Sequence, residues 1–339
     1  MKSTDLKNIS TKYKEIQLQY DKLGVNISQA LELLLKENSI SYLSINNRTK
    51  AIDSFIGKIE KKNYKSPFEE IEDICGIRII CYYQSDVNKI KEIIRKEFEV
   101  LEDENKEENL EYDQFGYRSF HFIIRIKKEW LNTPNYRGLE NLKAELQIRT
   151  VLMHAWAEIE HKLAYKSKSQ IPKEFRRKLS RISAKLEESD EQFEEIKNQM
   201  DSNKIILIEA AKASDIFEDN IELNLDNLKA FLDYAFPNRH KDIDQTRELF
   251  DEMIKLQITL KDLTTGYNNV KNELFNIEKE EAKSFDNIEI NEGEVHWQQT
   301  GAAMTVLELT NENYYKMRKK AYPEWMSVID KFRESKLNK

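Results

Sequence analysis

Cysteine is scarce in this sequence, with only Cys75 and Cys81 among 339 residues. If the segment between them is extended, their six-residue separation corresponds to roughly 20 Å, which is too far for a disulfide. Two cysteines are also too few for a four-cysteine zinc site. We therefore expect two free, buried thiols and a protein of the reducing cytoplasm.

Long apolar runs and an excess of positive charge are both missing. No run approaches the roughly 20 residues of a membrane span, and the N-terminal MKSTDLKNIS lacks the apolar core of a signal peptide. We therefore expect no membrane association. The formal net charge of −7 argues against a protein that coats nucleic acid with its whole surface, although a local basic patch is compatible with it.

Glycine and proline are nearly absent from the middle of the chain. No glycine occurs between residues 139 and 265, and the only prolines there are Pro172 and Pro237. A stretch without these residues, rich in Lys, Glu, Leu and Ile, favours helices. The sequence after residue 170 therefore predicts an all-helical region.

The first half of the chain mixes both periodicities. Alternation predicts strands, and three-to-four-residue spacing predicts helices, so the fold class is α+β. The predicted strands are 76–83, about 117–127 and about 142–149; the predicted helices are about 11–37, 47–62, 86–98 and 150–166. The acidic segment 101–113 predicts a loop. The predicted organisation is an N-terminal helical segment (1–39), an α+β domain with a mixed sheet flanked by helices (40–170) and an all-helical C-terminal region (171–339).

Two of the predicted strands each carry one polar face. Period-two alternation aligns Glu145, Gln147 and Arg149 on one strand. It aligns Tyr117, Ser119 and His121 on another. The simpler interpretation is a solvated face of an antiparallel sheet. The residue types favour a site instead, because an aromatic ring, an imidazole and several directional donors are gathered on these faces.

Carboxylates and cations surround the same strands. Asp73 precedes a predicted strand that carries Arg78. Lys50, Ser54 and Lys58 recur at i, i+4 and i+8 of the predicted helix 47–62, as a stripe suited to phosphate oxygens. Two carboxylates with several cations indicate phosphoryl-type chemistry with a divalent metal. Neither GxxxxGK[ST] nor GxGxxG is present, so this chemistry would not use a P-loop or a dinucleotide-binding turn.

The helix predicted at 150–166 carries His154, Glu158 and His161 on one side. Two histidines and a carboxylate could ligate zinc, but HExxH is absent and the histidine spacing is long for one ion. We therefore interpret His154 as facing a cleft.

Four segments together resemble the synthetase domain of RelA/SpoT-type alarmone synthetases. They are RTKAIDSFIGKI, IEDICGIRIICYY, GYRSFH and AELQIRTVLMHAWAEIEHKLAYK, and they span roughly residues 40–167. The resemblance implies a nucleotidyltransferase-like mixed β-sheet. It also implies transfer of pyrophosphate from ATP to the ribose 3′-hydroxyl of GDP or GTP, making (p)ppGpp, with Mg²⁺ as cofactor.

The same resemblance assigns roles by position. Arg48 and Arg78 would sandwich adenine, while Lys50, Ser54 and Lys58 would hold the ATP phosphates. Asp73 and Glu145 would bind Mg²⁺, and Glu145 would also activate the attacking hydroxyl. Tyr117 would stack on the acceptor base. The remaining acceptor-binding residues would be Ser119, His121, Gln147, Arg149 and His154.

Two other functions stay open. One is a toxic relative, of the toxin–antitoxin type, that pyrophosphorylates the 3′ end of tRNA; the other is a non-catalytic nucleotide sensor. The hydrolase half of bifunctional relatives needs a His-Asp motif, and none of the five histidines precedes an aspartate. We therefore expect a synthetase that does not degrade its product. The helical C-terminal region would regulate activity or form a homo-oligomer.

Overall fold

The chain divides into two units in this computed structural model, Met1–Ile196 and Lys197–Lys339. The structure describes residues 3–105, 119–163, 173–214, 216–218, 220–291 and 293–337. The elements that begin in the first unit are α1 (Ser3–Glu37), β1 (Tyr42–Thr49), α2 (Ile52–Lys62), α3 (Pro67–Glu70), β2 (Cys75–Cys81), α4 (Gln84–Glu97), β3 (Glu99–Asn105), β4 (Phe120–Arg125), α5 (Lys128–Leu131), β5 (Ala144–Thr150), α6 (Val151–Leu163) and α7 (Lys173–Ser214).

The strands form one mixed sheet in the order β1-β2-β5-β4-β3. β2 and β5 are parallel, and the pairs β1–β2, β4–β5 and β3–β4 are antiparallel. Apolar residues of β2 and β5, among them Ile77, Ile79, Leu146 and Ile148, are buried in the core. The predicted α+β class with a mixed sheet is therefore confirmed.

Helix α1 covers the sheet with one apolar stripe. Its buried apolar side chains recur at helical spacing and are Tyr13, Tyr20, Leu23, Ile27, Leu31 and Leu35. The hydroxyl of Tyr13 also donates to the backbone carbonyl of Lys50, just after β1. α1 therefore belongs to the same core as the strands. The domain boundary predicted at 170/171 lies outside the described residues, and the predicted domain limits stay a prediction.

Two strands were not expected from the sequence. β1 contains the polar run SINNRT. The sequence predicts a helix at 47–62 over its last residues, but the helix begins at Ile52. β3 overlaps the start of the acidic segment predicted as a loop. Both strands have weak intrinsic β-propensity, and their ladders with β2 and β4 stabilise them.

The second unit is helical, as predicted. Its elements after α7 are α8 (Leu225–Ala235), α9 (Ile243–Lys255), α10 (Leu260–Val270), α11 (Leu274–Glu281), a π-helical turn (Ala282–Asp286), α12 (Gln299–Thr310), α13 (Glu312–Ala321), a 3₁₀ turn (Pro323–Met326) and α14 (Ser327–Leu337). Nine of the twelve residues of α12 are buried, so this helix lies at the centre of the unit's core.

The segment around His296 and Trp297 is fastened to α11. Glu278 is fully buried and accepts hydrogen bonds from both terminal nitrogens of Arg239, at 2.6 and 2.5 Å. It also accepts from the backbone N–H groups of His296 and Trp297, at 2.6 and 2.7 Å. The indole of Trp297 donates to Glu281 at 2.9 Å. This segment is therefore anchored by buried polar contacts.

Within the described ranges, no helix is both long and apolar enough to cross a membrane. Both cysteines are buried and free, as expected. Burial raises the pKa of each thiol to about 12, so neither is a thiolate at neutral pH.

Candidate active site

The polar side chains of β5 lie on one face of the sheet. Glu145, Gln147 and Arg149 are each half-buried and alternate with fully buried apolar residues. The guanidinium of Arg149 donates to the amide oxygen of Gln147 at 2.9 Å. The strand therefore turns one face to the core and presents the other to a site.

The neighbouring strands complete a pocket beside this face. Gly76 of β2 lies opposite Glu145, and Arg78 lies opposite Gln147. On the far side of β2, Arg48 of β1 lies opposite Gly76. The pocket has a volume of about 110 Å³ and is lined by Asn46, Asn47, Arg48, Gly76, Ile77, Arg78, Glu145 and Gln147.

Gly76 lines this pocket next to Arg48. A Cβ atom there would lie 3.6 Å from Nε and 3.7 Å from Cγ of Arg48. Arg48 therefore extends across the glycine, and the missing side chain leaves the space beside its guanidinium open.

His121 of β4 joins the site from the other side of β5. Its Nδ1 lies 2.9 Å from Oε1 of Glu145, and its Nε2 lies 2.6 Å from the hydroxyl of Ser119. Both Ser119 and His121 are buried. Ser119 and His121, two of the residues predicted to bind the acceptor, are thus joined to Glu145 in one hydrogen-bonded chain.

Helix α6 contributes two side chains to the site. Glu158 accepts a hydrogen bond from Nη1 of Arg78 at 2.9 Å. His154 lies one turn earlier, and its Nδ1 has no hydrogen-bond partner among the described residues. Burial lowers the pKa of His154, and the positive charge of Arg78 lowers it further, so the ring is neutral at pH 7.

Asp73 lies between two lysines. The ammonium groups of Lys50 and Lys58 are each 2.9 Å from one of its carboxylate oxygens. Burial raises the pKa of Asp73, but the two ammonium groups outweigh that effect and hold the pKa below its ordinary value. Asp73 is therefore ionised at neutral pH.

The predicted lysine stripe is wrong in one respect. Lys50 does not belong to the helix, because β1 ends at Thr49 and α2 begins at Ile52. The backbone N–H of Lys50 instead donates to the carbonyl of Ile74 at 2.8 Å, which brings its side chain to Asp73. Ser54 is exposed in the first turn of α2, one turn before Lys58.

Glu145 is also ionised. Burial raises its pKa, but the hydrogen bond and the electrostatic interaction with His121 lower it below the ordinary value. The negative charge of Asp73 raises the pKa of Glu145, and a hydrogen bond from Gln147 lowers it. Burial lowers the pKa of Arg149 to about 10, which still leaves it charged.

Asp73 and Glu145 fit Mg²⁺ by their chemistry. Both are ionised carboxylates, and the charge of Asp73 acts on the pKa of Glu145, so the two groups share one electrostatic environment. Within the described part of the chain, no cluster of three or more His, Cys, Asp or Glu side chains could hold a metal alone. At phosphate-transferring sites, Mg²⁺ is usually bound by one or two carboxylates together with substrate phosphates and waters.

Not every predicted site residue can be placed. Tyr117 lies outside the described residues. Asn46 and Glu158 were not assigned to the nucleotide site from the sequence. Asn46 is two residues from Arg48, so recognising β1 would have put both on one face.

Comparisons with known proteins identify the first unit. Residues 47–170 match the family described as "Region found in RelA / SpoT proteins". GTP pyrophosphokinase YjbM of Bacillus subtilis (strain 168) is 31% identical over 176 residues, which cover 50% of this chain and 79% of YjbM. GTP pyrophosphokinase YwaC of the same organism is 31% identical over 208 residues, which cover 58% of this chain and 96% of YwaC.

A solved structure was also found among the similar proteins. The small alarmone synthetase 1 of Bacillus subtilis is 28% identical, with a TM-score of 0.48, over 56% of this chain and 98% of that chain. Because the family region matches and the alignment with YwaC covers nearly its full length at 31% identity, the chain belongs to the RelA/SpoT family.

Proposed function

We propose that the chain transfers the pyrophosphoryl group of ATP to the 3′-hydroxyl of GDP or GTP, making (p)ppGpp. The observation that carries the proposal is the pocket over Gly76, where two guanidinium groups and the Glu145 carboxylate line one space. Two relatives of this chain are named GTP pyrophosphokinases. A pocket with these groups suits a purine base next to a reacting phosphate.

The ATP side of the site would use the cations of β1, β2 and α2. The flat faces of Arg48 and Arg78 suit stacking on adenine. Lys50 and Lys58 each carry three N–H donors, so pairing with Asp73 leaves donors for phosphate oxygens. Ser54, exposed near the start of α2, would add a hydroxyl donor.

The reaction is an in-line displacement at the β-phosphorus of ATP. A bond forms between the acceptor 3′-oxygen and that phosphorus, and the bond from the phosphorus to the α,β-bridging oxygen breaks, so AMP leaves. The 3′-hydroxyl proton passes to the carboxylate of Glu145. Mg²⁺ held by Asp73 and Glu145 would neutralise charge on the transferred phosphates. The protein's own contribution is positioning and charge, which dominate catalysis of phosphoryl transfer.

The acceptor side would use the remaining predicted residues. Tyr117 would stack on guanine, and Arg149 would hold acceptor phosphates, because its buried guanidinium stays charged. Gln147 and the neutral ring of His154 would line the acceptor. The resemblance assigns Ser119 and His121 to the acceptor as well, but both ring nitrogens of His121 contact side chains of the protein, Glu145 and Ser119.

A second candidate acceptor is the 3′ end of tRNA. The distribution of charge along the chain is compatible with RNA binding by the first unit. Residues 1–196 contain 34 basic residues (Lys and Arg) and 34 acidic residues (Asp and Glu), so their charges cancel. Residues 197–339 contain 20 basic and 27 acidic residues, so the whole net charge of −7 comes from this second range. The first turns of α7 are basic: between residues 175 and 186 no acidic residue occurs, and the exposed cations are Arg176, Arg177, Lys178, Arg181 and Lys185. Such a patch suits RNA phosphates.

One transfer assay separates these acceptors. The full chain would be incubated with Mg²⁺ and ATP labelled at the γ-phosphate, together with GDP, GTP or deacylated tRNA. We expect label on the guanosine nucleotides. Label on RNA alone would overturn the proposal in favour of the tRNA acceptor, and label on no acceptor would favour the nucleotide sensor.

A further inference from the structure

His121 has no ring nitrogen left for a substrate. Its Nδ1 lies 2.9 Å from Oε1 of Glu145, and its Nε2 lies 2.6 Å from Oγ of Ser119. His121 and Ser119 are 8% and 7% exposed. An imidazole offers only two hydrogen-bonding atoms, and both are engaged inside the protein.

The direction of each hydrogen bond follows from the chemistry of the partners. An ionised carboxylate only accepts, so Nδ1 of His121 carries the proton that bonds Glu145. In the tautomer that has its proton on Nδ1, Nε2 is an acceptor, so the Ser119 hydroxyl donates to it. Ser119 thus fixes the tautomer and the tilt of the ring, and the ring fixes the carboxylate.

Gln147 also acts on the carboxylate of Glu145 and lowers its pKa. The amide oxygen of Gln147 accepts from Arg149 at 2.9 Å, which leaves the amide N–H₂ of Gln147 to donate to Glu145. One donor therefore comes from β5 itself and the other from β4. Groups fixed on paired strands are held more tightly than groups on loops.

We propose that His121, oriented by Ser119, is a positioning residue that fixes the carboxylate of Glu145 and does not bind the acceptor. The kinetic part of this inference rests on the proposed function. The serine, imidazole and carboxylate follow the order of a hydrolase triad, but the Ser119 hydroxyl is buried, so it anchors the ring and does not attack a substrate.

Two amide variants of His121 distinguish the contribution of Nδ1 from that of Nε2. The amide nitrogen of His121→Asn falls near the place of Nδ1 and keeps the donor to Glu145. That of His121→Gln falls near Nε2 and keeps only the contact with Ser119. We expect His121→Gln to lower kcat by about 10- to 100-fold, as for a lost hydrogen bond to a charged group, with the KM for GDP changed by less than about twofold. His121→Asn should recover kcat to within about fivefold of the native value.

The opposite pattern would overturn the inference. If both variants raise the KM for GDP while kcat is kept, His121 binds the acceptor. If both lose kcat equally, donation from Nδ1 is not what matters.

A second measurement needs neither nucleotide nor metal. Long-range ¹H–¹⁵N NMR of the full chain labelled at histidine, with the His121 signal identified by its loss in His121→Asn, reports the ring tautomer. We expect the proton on Nδ1, and a proton on Nε2 would contradict the inference. If the native protein transfers nothing to GDP or GTP, the proposed function fails, while the tautomer still decides the role of His121.

Discussion

Replacing Gly76 with alanine should make the protein more stable and lower its proposed transfer activity. A Cβ at this position meets nothing closer than 3.6 Å, so the strand accepts it without strain. Glycine within a strand costs about 0.5–1 kcal/mol relative to alanine, so Gly76→Ala should stabilise the first unit by that amount. For a unit of this size, the melting temperature should rise by about 1–4 °C.

The same methyl group would project into the space beside Arg48. If adenine lies over Gly76, one additional carbon at this position should cost about 1–3 kcal/mol of transition-state binding, or roughly a 10- to 200-fold loss of kcat/KM for ATP. Gly57→Ala is the matched control, because Gly57 is exposed on α2 and a Cβ there has no neighbour within 4 Å. It should gain a similar stability through helix propensity.

Melting temperature and steady-state kinetics with ATP varied test both halves of this reasoning. We expect stability and catalytic efficiency to move in opposite directions for Gly76→Ala and only stability to change for Gly57→Ala. A Gly76→Ala protein that keeps kcat/KM for ATP within twofold would refute the placement of the nucleotide over Gly76.

Three further outcomes are expected. Glu145→Gln should abolish transfer while leaving the affinity for a non-hydrolysable ATP analogue largely intact, as equilibrium binding would measure, because the amide accepts no proton. Burial, with nearby carboxylates, raises the pKa of Glu281 from 4.5 to about 7. Between pH 4.5 and pH 7 the folded state therefore keeps a proton on Glu281 that the unfolded state has lost. Up to about 3 kcal/mol of stability that is present below pH 4.5 is lost as the pH rises through 7. Glu281→Gln should remove this part of the pH dependence of the melting temperature. Gly266→Ala should destabilise the second unit by about 1–2 kcal/mol in denaturant unfolding, because its Cβ would overlap Oγ1 of Thr310.

Each of these has a control or a contrary result. Retained turnover in Glu145→Gln would remove that residue from proton transfer. An unchanged loss of melting temperature between pH 5 and pH 8 in Glu281→Gln would show that other groups cause it. Gly301→Ala is the control for Gly266→Ala, since a Cβ there lies at an ordinary 3.5 Å from Trp297 and should stabilise α12 by about 0.5–1 kcal/mol.

The parts of the fold that follow from local pattern could be predicted from the sequence. β5 alternates strictly, and the apolar stripe of α1 repeats at helical spacing. β1 and β3 could not be predicted, because their residues are polar or acidic and take up strand structure only through pairing with β2 and β4. These two strands are therefore determined by the strands they pair with and not by their own residues.

The site shows the same division. The sequence predicted Asp73, Glu145 and the cations around them as site residues, and that assignment stays a prediction; it did not predict which of these side chains pair. The contacts of Lys50 and Lys58 with Asp73, and of His121 with Glu145, depend on how β1, β2, β4 and β5 are aligned. Strand register between distant segments cannot be derived from one sequence without the turn or bulge geometry that fixes it.

The central claim is that a pyrophosphoryl group, rather than one phosphate or the AMP moiety, moves to a guanosine 3′-oxygen. ³¹P NMR of a reaction containing the full chain, Mg²⁺, ATP and GDP tests it directly. The account predicts AMP and a guanosine carrying a 3′-pyrophosphate, formed in equal amounts. Appearance of ADP with a 3′-monophosphate, or of free pyrophosphate with an adenylylated acceptor, would contradict it.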